Sequence, residues 1–89
     1  MSNDLKDLLD FPCRFPIKVM GEQHPDFQTT IYEVVRVHAP DLERVDIVAR
    51  DSSGGKYISL TVNVMAVSRE QLDSIYMALS SHAMVKVAL

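Results

Sequence analysis

The stretch that decides the fold is residues 56–67, KYISLTVNVMAV, in which every second residue from Ile58 to Ala66 is apolar. Successive side chains of a β-strand point to opposite faces of a sheet, so this pattern predicts a strand with one buried face. The positions predicted to be buried are every second residue from Ile58 to Ala66, namely Ile58, Leu60, Val62, Val64 and Ala66, and the intervening positions are polar as far as Asn63 and then Met65. The semi-polar face carries Tyr57, Ser59, Thr61, Asn63 and Met65. We therefore expect a sheet that is covered on one side only.

The residues on either side of this strand predict its neighbours. Upstream, RVDIVARD (44–51) is typical of a strand with Val45, Ile47 and Ala49 on one face, and DSSGG (51–55) supplies a hairpin turn. Downstream, Ser68 and Gln71 have the spacing of a capping box at a helix start. The inward stripe of that helix is Leu72, Ile75, Tyr76 and Leu79. MVKVAL (84–89) then predicts a last strand, with Val85, Val87 and Leu89 alternating against Met84, Lys86 and Ala88.

The first part of the chain predicts two helices and one strand. Leu5, Leu8 and Leu9 share a face of a short N-terminal helix that Pro12 ends, and CRFPIKVMG (13–21) alternates as a strand. HPDFQTTIYEVVRVHAP (24–40) has helical periodicity, with Pro25 at the first helical position, Asp26 in the first turn and Pro40 at the far end. Its inward stripe is predicted to be Phe27, Ile31, Val34, Val35 and His38.

The order of elements after the N-terminal helix is β, α, β, β, α, β, which is the ferredoxin-like arrangement. We expect an α+β sandwich in which a four-stranded antiparallel sheet carries two helices on one face. At 89 residues the chain is interpreted as a single domain, 1–89, in which residues 1–11 form an extension with the short helix.

Composition and the lengths of the apolar runs argue against nucleic-acid-binding, exported and membrane proteins. The net charge of -3 argues against a nonspecific grip on nucleic acid, and the lone Cys13 fits a reducing cytosol. The N-terminus lacks the pattern of a signal peptide, and no apolar run reaches the roughly 20 residues of a membrane span. A cytoplasmic protein without membrane segments is expected.

Several runs resemble the YbeD-like family of small bacterial proteins of uncharacterised function. They are DLLDFPCRFPIKVMG (7–21), VVRVHAP (34–40), SSGGKYISLTVNVMAVSREQLDSIYMAL (52–79) and VKVAL (85–89). The resemblance implies a ferredoxin-like fold similar to ACT-type regulatory domains, and thus a single ACT-like domain over 1–89. It also implies a non-enzymatic regulatory or adaptor module that binds a small metabolite or a protein partner.

ACT-type domains often bind ligands beside the loop from the first strand to the first helix. By that resemblance, the candidate ligand-binding residues are Gly21, Glu22, Gln23, His24 and Asp26. Glycine permits close backbone approach, and free N–H groups at a helix start suit a carboxylate, although the two acids favour an ammonium group or a cationic side chain of a partner. Turning and capping alone also account for these residues, so both interpretations stay open.

The semi-polar sheet face is a second candidate surface. Its predicted members are Lys18, Met20, Tyr57, Ser59, Thr61, Asn63 and Met84. Such a face is either solvated or an interface, and the free sheet edges are compatible with an ACT-like homodimer. An RNA-binding role is the alternative, with Lys18, Lys56 and Lys86 along the sheet, but Tyr57 alone is a poor platform for base stacking.

Neither catalysis nor a cofactor is predicted. The histidines His24, His38 and His82 are dispersed, and no pair has metal-ligand spacing. His38 is interpreted as a residue at the edge of the core, and Cys13 as a small apolar side chain. DSSGGK (51–56) lacks the spacing of a phosphate-binding loop and is interpreted as a hairpin turn.

Overall fold

Six regular elements form one sheet and a helical layer in the computed structural model, which describes residues 10–52 and 54–89. They are β1 (Cys13–Glu22), α1 (Phe27–Arg36), β2 (Ile47–Asp51), β3 (Tyr57–Ala66), α2 (Arg69–Ser80) and β4 (Val87–Ala88). The strands lie in the order β2-β3-β1-β4, and every neighbouring pair is antiparallel. This is the ferredoxin-like α+β fold expected from the sequence. The N-terminal helix predicted from Leu5, Leu8 and Leu9 lies outside the described residues.

The centre of the sheet is the long pair β1 and β3, which is in register from Cys13 opposite Ala66 to Glu22 opposite Tyr57. The predicted alternation of β3 is confirmed, because its five apolar inward residues are buried and its other residues are not. Both helices pack on this inward face. The core they share with the strands includes Ile17, Val19, Phe27, Ile31, Val35, Leu60, Val62, Val64, Leu72, Ile75 and Leu79. Burying each such side chain contributes about 1.5–3 kcal/mol.

Helix α1 is shorter than predicted. It begins at Phe27, so Pro25 and Asp26 form a turn before it, and it ends at Arg36. The chain then tightens, because the N–H groups of His38 and Ala39 both donate to the Val35 carbonyl at 3.0 Å. His38 is half-buried beyond the end of the helix, at the edge of the core as expected.

The N-terminus of α2 confirms the capping prediction with one difference. The Ser68 hydroxyl accepts the Gln71 N–H at 3.0 Å, as in a capping box. The Gln71 side chain, however, accepts the N–H of Val67 at 2.7 Å and donates to the His38 carbonyl at 3.0 Å. Gln71 therefore joins the start of α2 to the end of α1.

Strand β2 begins later than predicted, and the placement of Val45 on its inward face is wrong. Residues Arg44–Asp46 form a 3-10 turn in which the Asp46 carboxylate accepts the Glu43 N–H at 2.9 Å. A side chain that bonds to nearby backbone competes with strand pairing, so Val45 is left 80% exposed. Ile47 is buried but Ala49 is exposed. The predicted β2–β3 turn is confirmed, with Gly54 and Gly55 at positive φ.

From Val87 to Leu89 the last strand has the opposite alternation to the one predicted, whereas Val85 packs against the core as expected. Ala88 pairs with buried Val19 and packs against the core, whereas Val87 pairs with exposed Met20 and Leu89 is 69% exposed. Residues before Val87 form a turn in which the Val85 N–H donates to the His82 carbonyl at 3.1 Å. The register with β1 decides which face each residue takes, and a short apolar run does not carry that information.

Candidate functional site

The predicted corner between β1 and α1 forms one wall of a surface depression of about 310 Å³. Its other wall is the loop between α2 and β4, because β4 runs antiparallel to β1 and starts where β1 ends. The lining residues are Glu22, Gln23, His24, Ala83, Met84 and Lys86. The structure thus brings three of the predicted ligand-binding residues together with three from a distant part of the chain.

Gly21 lies behind this depression as a packing residue. A Cβ atom there would meet the Met84 carbonyl oxygen and come within 2.6 Å of the Phe27 ring. Its φ is not among the positive values of the chain, so close approach and not a special backbone conformation requires glycine. A larger side chain at this position changes the packing of the corner before it changes any ligand contact.

Histidine side chains hold both loops of the depression. The Asp26 N–H donates to Nδ1 of His24 at 3.0 Å, and the Phe27 N–H donates to the His24 carbonyl at 3.1 Å. In the second loop the Met84 N–H donates to Nδ1 of His82 at 3.1 Å. Asp26 itself is exposed, makes no side-chain cap and does not line the depression. The His24 side chain therefore holds the turn before α1, and among the described residues no side chain caps the first turn of the helix.

Charges of both signs face the depression. Lys86 Nζ lies 3.6 Å from a carboxylate oxygen of Glu22, and both side chains are more than half exposed. The Gln23 amide donates to Asp51 at 2.9 Å, and the Gln23 N–H donates to the Lys56 carbonyl at 2.9 Å. An exposed ion pair of this kind stabilises a fold by well under 1 kcal/mol, so its two members are available to exchange each other for a ligand.

The helix-free face of the sheet, on the side opposite α1 and α2, is the second predicted surface. The structure places Lys18, Met20, Tyr57, Ser59, Thr61 and Asn63 on it, with Met20 opposite Ser59 and Lys18 opposite Thr61. Met84 was also predicted there, and this is wrong because its side chain packs against the core. A small depression of about 90 Å³ on this face lies among Met20, Arg50, Tyr57 and Ser59.

The RNA-binding alternative depends on the same helix-free face of the sheet. Of the three predicted lysines, Lys18 lies on this face and Lys86 lines the corner depression. Lys56 lies in the β2–β3 turn with Nζ 5.9 Å from the Tyr57 ring centroid. Among residues 10–52 and 54–89, Tyr57 is the one aromatic side chain on the outward positions of β1 and β3. RNA binding through the sheet stays a prediction.

Sequence reasoning missed Ala83 and the position of Lys86 in the corner. They are about 60 residues from Glu22 along the chain, and no local pattern marks them. The available signal was topological, since in this fold the last strand pairs with the first and the α2–β4 loop lies beside the β1–α1 corner.

Residues 10–52 and 54–89 also bear on two other classes of site, metal centres and membrane-spanning helices. No set of three or more His, Cys, Asp and Glu side chains in this part of the chain is arranged to hold a metal ion. None of the helices described has the length and apolar character needed to cross a bilayer.

Comparison with known proteins identifies relatives over the whole chain. The family described as "Protein of unknown function (DUF493)" matches residues 6–89. A UPF0250 protein of Chromobacterium violaceum is 60% identical over 89 residues and covers 100% of both chains. A UPF0250 protein of Neisseria gonorrhoeae is 52% identical over 82 residues, covering 92% of this chain and 90% of that protein.

A solved structure agrees with the fold. The solution structure of protein HP0495 from H. pylori superposes with a TM-score of 0.70 and covers 91% of this chain and 85% of that chain. At 14% identity, this likeness concerns the fold alone. The sequence relatives establish the family expected from the motifs: the chain belongs to the DUF493 family, the YbeD-like UPF0250 proteins of bacteria.

Proposed function

We propose that this protein is a non-enzymatic regulatory or adaptor module of the cytoplasm that binds a small metabolite, or a short segment of a protein partner, at the corner depression. One observation carries the proposal. Three residues predicted as ligand-binding and three from the α2–β4 loop converge on a depression of about 310 Å³ that presents both an anion and a cation. Ligand sites in proteins are concave and hold a few convergent polar groups.

The chemistry of the corner suits binding more than catalysis. His24, the titratable ring nearest the depression, uses Nδ1 to accept the Asp26 N–H and so maintains the start of α1. Cys13 lies at the other end of β1 from the depression. A nucleophile beside a general base is the usual signature of covalent catalysis, and the corner residues do not provide that pair.

The ligand that fits this arrangement is zwitterionic. Glu22 offers a carboxylate to an ammonium group and Lys86 offers an ammonium group to a carboxylate, while the Gln23 side chain and backbone bond elsewhere. A free α-amino acid carries both groups a few ångströms apart. The ferredoxin-like fold, which ACT-type domains share, supports the same class of ligand by analogy.

A binding screen tests this function. The full chain is titrated with each of the twenty amino acids by calorimetry, and amide shifts in NMR spectra locate any response. We expect a saturable response with at least one amino acid, confined to residues 21–26 and 82–86. Lys86→Met and Glu22→Gln each weaken it by about tenfold, which corresponds to 1.4 kcal/mol.

The matched control is Lys56→Met, which removes a lysine from the β2–β3 turn outside the depression. It leaves the affinity unchanged if the corner is the site. The absence of any saturable response, or a response that Lys86→Met and Lys56→Met weaken equally, contradicts the proposal.

A homodimer is a further proposal for this module. Strand β2 is an edge strand whose backbone pairs with β3 on one side only, and an unpaired edge is a surface for addition of another strand. Light scattering coupled to size exclusion measures the mass directly, and a monomer at all concentrations tested contradicts it.

A further inference from the structure

The helix-free face of the sheet differs in charge from the rest of the protein. The chain has a net charge of -3, yet the outward positions of the strands carry Arg14, Lys18 and Arg50 against one acid, Glu22. Glu22 is paired with Lys86, and Arg14 with Asp46 at 3.5 Å. Across residues 10–52 and 54–89, Lys18 and Arg50 have no ion-pair partner.

The acids are concentrated elsewhere. Glu33 is an exposed residue of α1, and Glu70 and Asp73 are exposed residues of α2, on the opposite side of the molecule. Asp51 borders the small depression but accepts a hydrogen bond from Gln23. Within residues 10–52 and 54–89, Glu22 is the one acid at an outward strand position, so the cationic strip is a local feature in a chain of net charge -3.

Exposed apolar side chains share two adjacent rows of the sheet with these cations, and Ser59 and Thr61 of β3 lie between Arg50 and Lys18. In the first row the register places Arg50, Ser59, Met20 and Val87 side by side across the four strands. Met20 and Val87 are each 40% exposed.

The second row begins with Val48 opposite Thr61 and Thr61 opposite Lys18. Lys18 and Leu89 exchange backbone hydrogen bonds of 2.9 and 2.8 Å, which places exposed Leu89 beside Lys18. Each row therefore combines one unpaired cation with exposed aliphatic side chains.

The combination of cationic and aliphatic side chains indicates which class of ligand fits this face. Single-stranded nucleic acid stacks its bases on aromatic side chains, and this face offers Tyr57 where two or three rings are usual. Aliphatic side chains next to cations instead match a peptide in which aliphatic residues and carboxylates are interspersed. The depression of about 90 Å³ beside Met20 and Arg50 has room for part of one aliphatic side chain.

We propose that the helix-free face of the sheet docks an acidic, extended segment of another protein. An aliphatic residue of the segment occupies the depression beside Met20 and Tyr57, and carboxylates within a few residues of it pair with Arg50 and Lys18. This surface is separate from the corner depression, and the interaction does not depend on the function proposed there.

The geometry limits the spacing of the acids in such a segment. Arg50 and Lys18 lie two strands apart and one row apart, so strand and row spacings put their Cα atoms about 12 Å from each other. An extended chain advances about 13 Å over four residues. We therefore expect two acids four residues apart, or a run of acids that includes this spacing.

Selection from a random peptide library displayed on phage tests the proposal. The full chain is the target, and the double variant Lys18→Glu Arg50→Glu is used for counter-selection. We expect the recovered peptides to be enriched in Asp and Glu around an aliphatic residue. A labelled peptide of that consensus binds the wild-type chain, and the double variant weakens its binding by at least tenfold in fluorescence anisotropy.

Two controls make the result specific. Arg69→Glu reverses a charge on α2 and leaves peptide binding unchanged. Arg50→Gln weakens binding less than Arg50→Glu, since it removes attraction without adding repulsion. Lys18 and Arg50 are exposed, so these variants fold, and circular dichroism verifies it.

Other outcomes overturn the proposal. Recovered peptides without acidic enrichment contradict it, as does a consensus peptide whose amide shifts map to the corner. Saturable binding of a labelled single-stranded RNA 12-mer to the same face, without binding of acidic peptides, assigns the surface to nucleic acid.

Discussion

The two faces of the central pair of strands, β1 and β3, share one backbone and differ in burial and in the polarity of their side chains. On the inward face Ile17, Val19, Leu60 and Val62 are 0% exposed beneath two helices. On the outward face their immediate neighbours in the sequence are polar, cationic or partly exposed apolar residues. The stability of the fold comes from one face, which leaves the residues of the other free to serve an interaction.

The largest difference in stability is expected between a substitution in the core and a substitution at its neighbour on the outward face. Leu60→Ala removes a fully buried side chain and leaves a cavity, so we expect a loss of about 2–5 kcal/mol in the free energy of unfolding. Thr61→Ala, one residue along on the outward face, costs under about 1 kcal/mol. Urea denaturation followed by circular dichroism measures both, and equal losses contradict the comparison.

The same contrast in stability between inward and outward positions is expected along β1, where Gly21 packs at the corner and Lys18 faces outward. Gly21→Ala places a methyl group against the Met84 carbonyl and the Phe27 ring, and overpacking of this kind costs about 1–3 kcal/mol. Lys18→Ala, on the outward face of the same strand, stays within about 0.5 kcal/mol of the wild type. Thermal and urea unfolding compare the pair, and a neutral Gly21→Ala shows that the corner rearranges easily.

The smallest expected effect concerns the helical layer that covers the inward face. Ser68→Ala removes the hydroxyl that accepts the Gln71 N–H, which costs about 1 kcal/mol, and Ser68→Asp restores most of it. Ser74→Ala makes the same chemical change at an exposed position within α2 and does not destabilise the protein. Equal losses for Ser68→Ala and Ser74→Ala indicate that the cap is unimportant.

The prediction from sequence succeeded where a pattern was long. Every second residue of β3 from Ile58 to Ala66 is apolar, which specified its buried face, and helical periodicity with the Ser68 cap located α2. It failed where elements were short. Val45 entered a 3-10 turn held by the Asp46 side chain, and β4 took the opposite alternation, since two residues of pairing follow the register of β1.

The candidate site shows the same division. The corner was located because a strand that stops at glycine and continues into a helix start is visible in the sequence, and the resemblance to ACT-type domains made Glu22, Gln23 and His24 candidates. Ala83 and Met84 complete the depression from a loop that only pairing of β4 with β1 brings there. Local sequence records the preferences of one segment, whereas a site between two loops depends on which segments meet.

The sequence by itself determined the order of elements, the two faces of the long strands and the family, because hydrophobic periodicity and specific motifs act over neighbouring residues. The tertiary structure alone decided that Lys86 lies beside Glu22, that Met84 leaves the sheet surface, and that Lys18 and Arg50 stand unpaired among aliphatic side chains within the part of the chain described. Those relations depend on strand register and on contacts between segments distant in the chain, where no local pattern carries the information.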